Sequence, residues 1–321
     1  MKKRQNKQAY IEGILGGDLS ILSQAITLIE SAQKQDKELA HEVLDGIMQY
    51  TGNAVRLGIT GAPGAGKSTF INTFGSHTLK KYSKVAVLAI DPSSSLTKGS
   101  IMGDKTRMGE LSNLPNVFVR PSPTGTTLGG VARKTRETIL LCEAAGYDFI
   151  IVETVGVGQS EAVVKKMVDF LLLLISPISG DELQGMKKGI VELADAIAIT
   201  KRDGPNIKAA DQSRKEYVAA MQLISLKDDR RVEVNTCSAL KDQGIKDILL
   251  NVEDEMSIQQ KSGELEKRRN NQLISWMYDE IKNEIIEDFM LKNMAVINRF
   301  EEKVRQRKIS PQSAISEILK R

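Results

Sequence analysis

Residues 58–69 read Gly-Ile-Thr-Gly-Ala-Pro-Gly-Ala-Gly-Lys-Ser-Thr, and this stretch decides the fold. It contains the phosphate-loop pattern G-x-x-x-x-G-K-[ST] at residues 61–68. An apolar run, residues 55–60, precedes the loop, and a helical stretch, residues 67–81, follows it. A strand, a glycine-rich loop and a helix in this order distinguish a phosphate-binding loop from a chance glycine-rich turn.

Each residue type in the loop suits a bound phosphate. Glycines allow the chain to wrap closely around phosphate oxygens and to take positive φ where needed. Backbone N–H groups and the positive end of the following helix attract the anion. Lys67 would reach the β- and γ-phosphates, and the Ser68 hydroxyl would bind Mg²⁺. The predicted cradle is the whole loop: Gly61, Ala62, Pro63, Gly64, Ala65, Gly66, Lys67, Ser68 and Thr69.

The composition narrows the class of protein. The net charge of +4, from 45 basic and 41 acidic residues, is too small to indicate a nucleic-acid partner, and aromatic residues make up only 4% of the chain. The longest apolar run, Phe170–Ile175, is too short to span a bilayer. Cys142 and Cys237 are isolated thiols, which are typical of a reducing compartment. We therefore expect no nucleic-acid or membrane partner and a cytoplasmic location, with the mitochondrial matrix as the alternative.

Proline positions and apolar spacing divide the chain into three parts. Helical spacing without proline predicts an N-terminal helical extension over residues 1–53. Residues 54–256 alternate apolar runs with helical stretches, which predicts an α/β domain with a doubly wound, mainly parallel sheet. Residues 257–321 would form a C-terminal helical arm. The runs that predict strands are 55–60, 84–90, 117–119, 148–152, 170–175, 196–200 and 232–236.

The C-terminal arm carries an apolar stripe at helical spacing: Ile274, Tyr278, Ile281, Ile285 and Phe289. A helix that packs on its own domain needs such a stripe, and so does a dimerisation arm. The sequence leaves both interpretations open, and we predict the homodimer.

Acidic residues at the ends of predicted strands are candidate ligands for Mg²⁺. In parallel sheets, ligands bind at the carboxyl ends of the strands. Glu153 ends one strand three residues before Gly156, whose N–H would contact the γ-phosphate. Asp91 ends another strand, and Asp104 lies in a glycine-containing loop, although either could be a cap or turn residue. Because Mg²⁺ prefers oxygen ligands, we predict metal binding by Ser68, Asp91, Asp104 and Glu153, and catalytic roles for Lys67, Glu153 and Asp104.

Two further loops indicate a guanine nucleotide, GTP or GDP. Residues 200–203, Thr-Lys-Arg-Asp, resemble the guanine-reading motif Asn-Lys-x-Asp. The Asp203 carboxylate can accept hydrogen bonds from N1–H and the 2-amino group of guanine, a donor pair that adenine lacks. Lys201 would lie over the base, whereas Thr200 in place of Asn loses one amide contact. One strand later, Ser238, Ala239 and Leu240 would offer backbone N–H groups to guanine O6.

The catalytic machinery for hydrolysis is incomplete in the sequence. Small GTPases place a water-orienting Gln directly after the glycine, whereas Gln159 is three residues after Gly156. Arg107 is a candidate to stabilise the transition state, although an ordinary surface charge is the simpler interpretation of this residue. Such a set of residues favours a molecular switch that a partner completes.

Longer strings carry a resemblance to one family. They are Asp91-Pro-Ser-Ser-Ser, Gly103-Asp-Lys-Thr-Arg-Met, Leu128-Gly-Gly-Val-Ala-Arg-Lys-Thr, Val152-Glu-Thr-Val-Gly-Val-Gly-Gln-Ser-Glu and Gly180-Asp-Glu-Leu-Gln-Gly-Met-Lys-Lys-Gly. The chain resembles, over nearly its whole length, the MeaB/ArgK-like P-loop GTPases, which are G-protein chaperones of adenosylcobalamin-dependent acyl-CoA mutases. One departure is the hydroxyl-rich residues 123–127, where the family's loop contains Arg.

The resemblance implies a homodimer held by the C-terminal arm and GTP hydrolysis that the mutase accelerates. It also implies that the GTPase gates cofactor loading and protects the mutase, most simply methylmalonyl-CoA mutase. Residues 91–110, 153–165 and 177–190 would be switch regions, and Lys187 and Lys188 lie in the last of these.

Two alternatives from other classes stay open. A nickel-metallochaperone GTPase would need a Cys/His cluster, whereas this chain has only His41, His77 and two distant cysteines. A P-loop ATPase or kinase accessory to amino-acid transport is disfavoured by Asp203 but kept open by Thr200.

Overall fold

The computed structural model describes residues 4–90, 109–120, 128–154, 160–177, 188–228 and 232–320. The chain divides into two compact units, Met1–Leu265 and Glu266–Arg321. The predictions made for Asp91, Asp104, Arg107, Gly156, Gln159 and Lys187 lie outside the described residues.

A seven-stranded sheet forms the centre of the first unit. The strand order is β3-β2-β4-β1-β5-β6-β7, and every pairing is parallel. The predicted parallel sheet is confirmed, and each strand begins and ends within two residues of its predicted run. The strands are β1 Val55–Gly61, β2 Val85–Ile90, β3 Val117–Arg120, β4 Phe149–Thr154, β5 Phe170–Ile175, β6 Ala196–Ile199 and β7 Glu233–Thr236.

Helices connect the strands, and further helices precede the first strand and follow the last one. Within the described ranges they are α1 Lys7–Leu15, α2 Leu19–Ile29, α3 Lys34–Ile47, α4 Lys67–Thr78, α5 Gly109–Ser112, α6 Leu128–Ala144, α7 Ser160–Lys165, α8 Lys188–Leu193, α9 Ile207–Asp228, α10 Ile245–Ser262, α11 Glu264–Arg305 and α12 Pro311–Leu319. The first three helices pack on one another and on α6. Among the described residues, no helix has both the length and the apolar character needed to cross a membrane.

Strand β5 shows why the sheet is wound on both faces. All six of its residues are buried, as expected of a central parallel strand. Leu172 and Leu174 belong to a core cluster that contains residues of α4 and α10. Leu173 and Ile175 belong to a second cluster that contains residues of α9. Because side chains alternate along a strand, β5 contributes to a separate core on each face.

A buried ion pair ties the first strand to α6. The Arg56 guanidinium donates from Nε to Glu143 Oε1 at 2.7 Å and from a terminal nitrogen to Oε2 at 2.8 Å. The backbone N–H of Gly52 also donates to Glu143 Oε2, at 2.8 Å. Both side chains are almost fully shielded from water. This carboxylate therefore links α6 to β1 and to the segment that connects the N-terminal helices to the sheet.

Replacing Glu143 by Ala should strongly destabilise the first unit. The change leaves a buried guanidinium without its partner, which costs about 3–5 kcal/mol of unfolding free energy. Urea titration followed by circular dichroism measures this loss. Asp211→Ala is the matched control, because it removes the carboxylate of the half-exposed Arg202–Asp211 pair and should leave the midpoint nearly unchanged. Equal effects of the two substitutions would contradict the prediction.

Candidate functional site

The loop between β1 and α4 has the backbone geometry of an anion cradle. Gly64 and Gly66 have φ of 83° and 88°, in the left-handed region that favours glycine. A Cβ at Gly64 would meet no atom within 4 Å, so the space beside the loop is open. Gly61 has a different reason to be glycine, since a Cβ there would lie 2.4 Å from the carbonyl oxygen of Leu174 on β5. A turn bond from the Ala65 N–H to the Ala62 carbonyl, 3.1 Å long, supports the loop.

The Lys67 side chain folds back over this loop. Its Nζ donates to the carbonyl oxygens of Gly61 at 2.7 Å and Ala62 at 3.1 Å. Burial lowers the pKa of the Lys67 ammonium, and the negative charges of Glu153 and Glu161 oppose that shift. The cation is thus held at the loop, where a phosphate group would be cradled. Glu161, a buried carboxylate at the start of α7, was not singled out by the sequence analysis.

The described residues provide two of the four predicted metal ligands. Ser68 stands in the first turn of α4, next to the phosphate loop. Glu153 is a buried residue of β4, in register with Ile59 of β1 on one side and Ala89 of β2 on the other. A hydroxyl and one carboxylate fit Mg²⁺, which usually completes its shell with phosphates and waters. In the described ranges, no three His, Cys, Asp or Glu side chains form a cluster that could hold a metal ion.

The two loops predicted to read guanine are bonded to each other. The fully buried Ser238 hydroxyl donates to the Asp203 carboxylate, and the backbone N–H of Lys241 donates to Ser238 Oγ at 3.2 Å. Paired backbone bonds between Ser238 and Gln243, 2.9 and 3.0 Å long, close the second loop. The Asp203 carboxylate is therefore held in one orientation at the ends of β6 and β7.

One cavity joins residues that are predicted to bind the base to the phosphate loop. Its volume is about 230 Å³, and its lining combines three segments that are distant in sequence: Gly66, Thr69, Phe70, Thr200, Lys201, Asp203, Asn206, Cys237, Ala239 and Leu240. A second cavity of about 310 Å³ lies between α9 and β7 and shares no lining residue with the first. Of these two cavities, the smaller is the candidate base site, because Lys201, Asp203, Ala239 and Leu240, four of the five predicted base-reading residues, line it.

Helix α4 is also bonded to the loop after β7, which the sequence analysis missed. The Thr73 hydroxyl donates to the Ala239 carbonyl at 3.0 Å. One turn later, His77 Nε2 lies 2.6 Å from the Asp242 carboxylate. The spacing of Thr73 and His77 places them on one helix face. Their partners are more than 160 residues away, so no local pattern could identify the contact.

Comparisons with known proteins agree on one family. The family described as methylmalonyl Co-A mutase-associated GTPase MeaB matches residues 22–294. A probable GTPase of Mycobacterium tuberculosis is 44% identical over 310 residues, which cover 95% of this chain and 92% of the relative. The GTPase ArgK of Escherichia coli is 46% identical over 271 residues, which cover 84% of this chain and 82% of the relative.

A mammalian relative and a solved structure are similar too. The mitochondrial methylmalonic aciduria type A homolog of Mus musculus is 43% identical over 288 residues, 86% of this chain and 69% of the relative. The crystal structure of the LAO/AO transport system kinase matches with a TM-score of 0.78 and 34% identity. That match covers 100% of this chain and 98% of the other.

Gly244 closes the loop after β7 and should not tolerate a side chain. Its φ is 72°, and a Cβ would lie 2.3 Å from the Thr236 carbonyl oxygen. Gly204 is the matched control, with φ of 51° and no atom within 4 Å of a Cβ. Both Ala variants incur the left-handed strain of about 1–2 kcal/mol, but only Gly244→Ala adds a backbone clash worth about 1–3 kcal/mol. Urea titration should show this difference, and equal losses would contradict it.

Proposed function

The chain belongs to the MeaB family of GTPases, and from this membership we propose that it is a G-protein chaperone of an adenosylcobalamin-dependent acyl-CoA mutase. The membership confirms the family resemblance and the prediction of a GTP hydrolase. In the proposed role, the GTPase gates cofactor loading and protects the mutase, most simply methylmalonyl-CoA mutase. The observation that carries the proposal is the family match over residues 22–294. This range includes the phosphate loop, both base loops and most of α11.

We assign the nucleotide contacts as the sequence predicted them. Residues 61–69 would bind the phosphates, with Lys67 at the β- and γ-phosphates. Lys201 and Asp203 would bind guanine, together with the backbone of residues 238–240. The cavity that joins Gly66 to Asp203 supports this assignment, as does the hydrogen bond that orients the Asp203 carboxylate.

Mg²⁺ would be held by Ser68 and Glu153, with Asp91 and Asp104 from outside the described residues. When bound, the ion would neutralise charge on the phosphates during hydrolysis. The protein's own contribution would be positioning. Lys67 would hold the phosphates, and Glu153 and Asp104 would orient the attacking water. Gly156 would donate its backbone N–H to the γ-phosphate.

The strand order supports coupling between the nucleotide and a partner. The proposed switch regions, residues 91–110, 153–165 and 177–190, begin at the carboxyl ends of β2, β4 and β5. Strands β4 and β5 flank β1, which leads into the phosphate loop, and β2 lies next to β4. Loss of the γ-phosphate can reorder segments in such positions. A partner that binds these segments would sense the nucleotide and, by linkage, change its affinity in return.

A homodimer built on the C-terminal arm completes the proposal. Helix α11 contains 42 residues, of which only Phe300 is buried. Large apolar side chains are exposed along it: Leu273, Ile274, Met277, Tyr278, Ile281, Ile285, Ile286, Met290, Leu291 and Met294. A continuous apolar surface of this kind usually marks an interface. A second copy of the chain is the occupant that the family resemblance implies.

A cytoplasmic location is the remaining part of the proposal. Both cysteines are free and buried, and burial raises the pKa of both thiols. Unpaired cysteines suit a reducing compartment.

An accessory kinase or ATPase of amino-acid transport is the second candidate. The observation in its favour is the 34% identity to the LAO/AO transport system kinase. A preference for ATP over GTP in equilibrium binding would support this candidate. A preference for GTP would favour the GTPase chaperone.

The mutase should bind the chain differently in its GDP and GTP states. We expect wild type to form a complex with methylmalonyl-CoA mutase whose affinity changes between GDP and a non-hydrolysable GTP analogue, and to hydrolyse GTP faster within it. Lys67→Ala should remove this nucleotide dependence, because a lost charge-assisted phosphate contact weakens binding by about 100-fold. Lys80→Ala, an exposed lysine just beyond α4, is the control. If no acyl-CoA mutase of the source organism binds or accelerates hydrolysis, the chaperone role is wrong.

Placing a charge in the stripe of α11 should dissociate the dimer. Ile285 is 63% exposed in the single chain, and an Asp at this position would be buried unpaired in the proposed interface. Light scattering should report a dimer for wild type and a monomer for Ile285→Asp at micromolar concentration. Leu223→Asp is the control, since Leu223 is 69% exposed on α9. A monomeric wild type would refute the dimer.

A further inference from the structure

Thr200 occupies the position where the base-reading motif has Asn, and its hydroxyl faces two carbonyl groups. Thr200 directly follows β6 and is buried. Its Oγ1 lies 2.7 Å from the Ala65 carbonyl oxygen and 3.1 Å from the Ile175 carbonyl oxygen. A threonine hydroxyl has a single proton to donate, so it can serve only one of these acceptors at a time.

The Thr200 hydroxyl donates its proton to the carbonyl oxygen of Ala65. The Ile175 carbonyl already accepts the backbone N–H of Thr200 at 2.7 Å, whereas the Ala65 contact is the shorter of the two that the hydroxyl makes. Ala65 is a buried residue in the middle of the phosphate loop. The hydroxyl therefore joins the end of β6 to the phosphate loop across 135 residues of sequence.

The bond to Ala65 limits what residue 200 can offer to a bound base. Thr200 also lines the base cavity, beside Lys201 and Asp203. An Asn side chain carries two amide hydrogens, so at this position it could serve the phosphate loop with one and the acceptor N7 of guanine with the other. The threonine hydroxyl has no second hydrogen. Once it is donated to Ala65, residue 200 has none for the base.

We propose that Thr200 is a positioning residue that clamps the phosphate loop, and that guanine is bound without a hydrogen bond from residue 200 to N7. The proposal rests on the assignment of the cavity to guanine under the proposed function. It does not depend on the mutase. Specificity for guanine then falls on Asp203 and on the backbone after β7.

Loss of the Thr200 hydroxyl should weaken the binding of all guanine nucleotides by the same factor. Without the hydroxyl, the buried Ala65 carbonyl lacks this hydrogen bond, and the loop can relax in the free protein. Binding must then restore the loop geometry, which lowers the apparent affinity by the fraction of molecules that remain competent. Because the clamp acts on the phosphate loop, the preference among bases should not change.

The experiment compares GDP with 7-deaza-GDP, in which a carbon replaces N7. Equilibrium binding and stopped-flow release are measured for wild type, Thr200→Val, Thr200→Ser, Thr200→Asn and Asp203→Asn. Wild type should bind both nucleotides equally within about twofold. Thr200→Val should bind both about tenfold more weakly and release them faster, while Thr200→Ser, which keeps the hydroxyl, should behave like wild type. Thr200→Asn should prefer GDP by about fivefold, because its second amide hydrogen reaches N7.

Three results would overturn the proposal. The first is wild type that binds 7-deaza-GDP tenfold more weakly than GDP, which needs no variant to fold. The second is folded Thr200→Val with unchanged binding and release. The third is Asp203→Asn with unchanged preference for guanine over xanthine nucleotides, which removes the base site on which the proposal rests. Failure to bind any mutase would leave all three measurements unaffected, so the two proposals fail separately.

Discussion

The backbone of β1 passes so close to β5 that residue 61 cannot carry a side chain. A Cβ at Gly61 would lie 2.4 Å from the Leu174 carbonyl oxygen, which is backbone and cannot rotate away. Gly61 and Leu174 are also register partners in the sheet. The phosphate loop therefore begins while its strand is still paired, and the position of the loop is set by the sheet itself. Every other part of the site is placed relative to this point.

From this point, hydrogen bonds connect three segments that are far apart in sequence. The phosphate loop is bonded to the end of β6 through Thr200, and α4 is bonded to the loop after β7 through Thr73 and His77. The loops after β6 and β7 are joined by Ser238 and Asp203. The three segments thus form a closed ring of contacts around the cavity. These bonds hold the three segments in defined positions relative to one another.

The sequence predicted the centre of the sheet well because its central strands, such as β2, β4 and β5, are buried on both faces. The run Phe170–Ile175 is apolar throughout. The runs that became β4 and β6 end near Glu153 and Asp203, whose chemistry is recognisable. The glycines and the lysine of the phosphate loop could also be recognised in the sequence, because a phosphate ligand restricts which residues can surround it. What the sequence could not supply were side-chain contacts between distant loops. The partner of the Thr200 hydroxyl, the bonds made by Thr73 and His77, and the effect of the Glu161 charge on Lys67 follow from the tertiary structure alone.

The long C-terminal helix presents a separate problem of stability. At 1.5 Å per residue, α11 extends for about 60 Å, yet Phe300 is its only buried residue. Most helical stability in proteins comes from packing an apolar face and not from intrinsic propensity. Leaving ten large apolar side chains in water would forgo about 25 cal/mol for each Å² that an interface could bury. The second unit, Glu266–Arg321, therefore has more apolar surface than it can bury by itself. In the proposed homodimer, association therefore supplies the core that the second unit lacks, and the order of α11 and the dimer become one equilibrium.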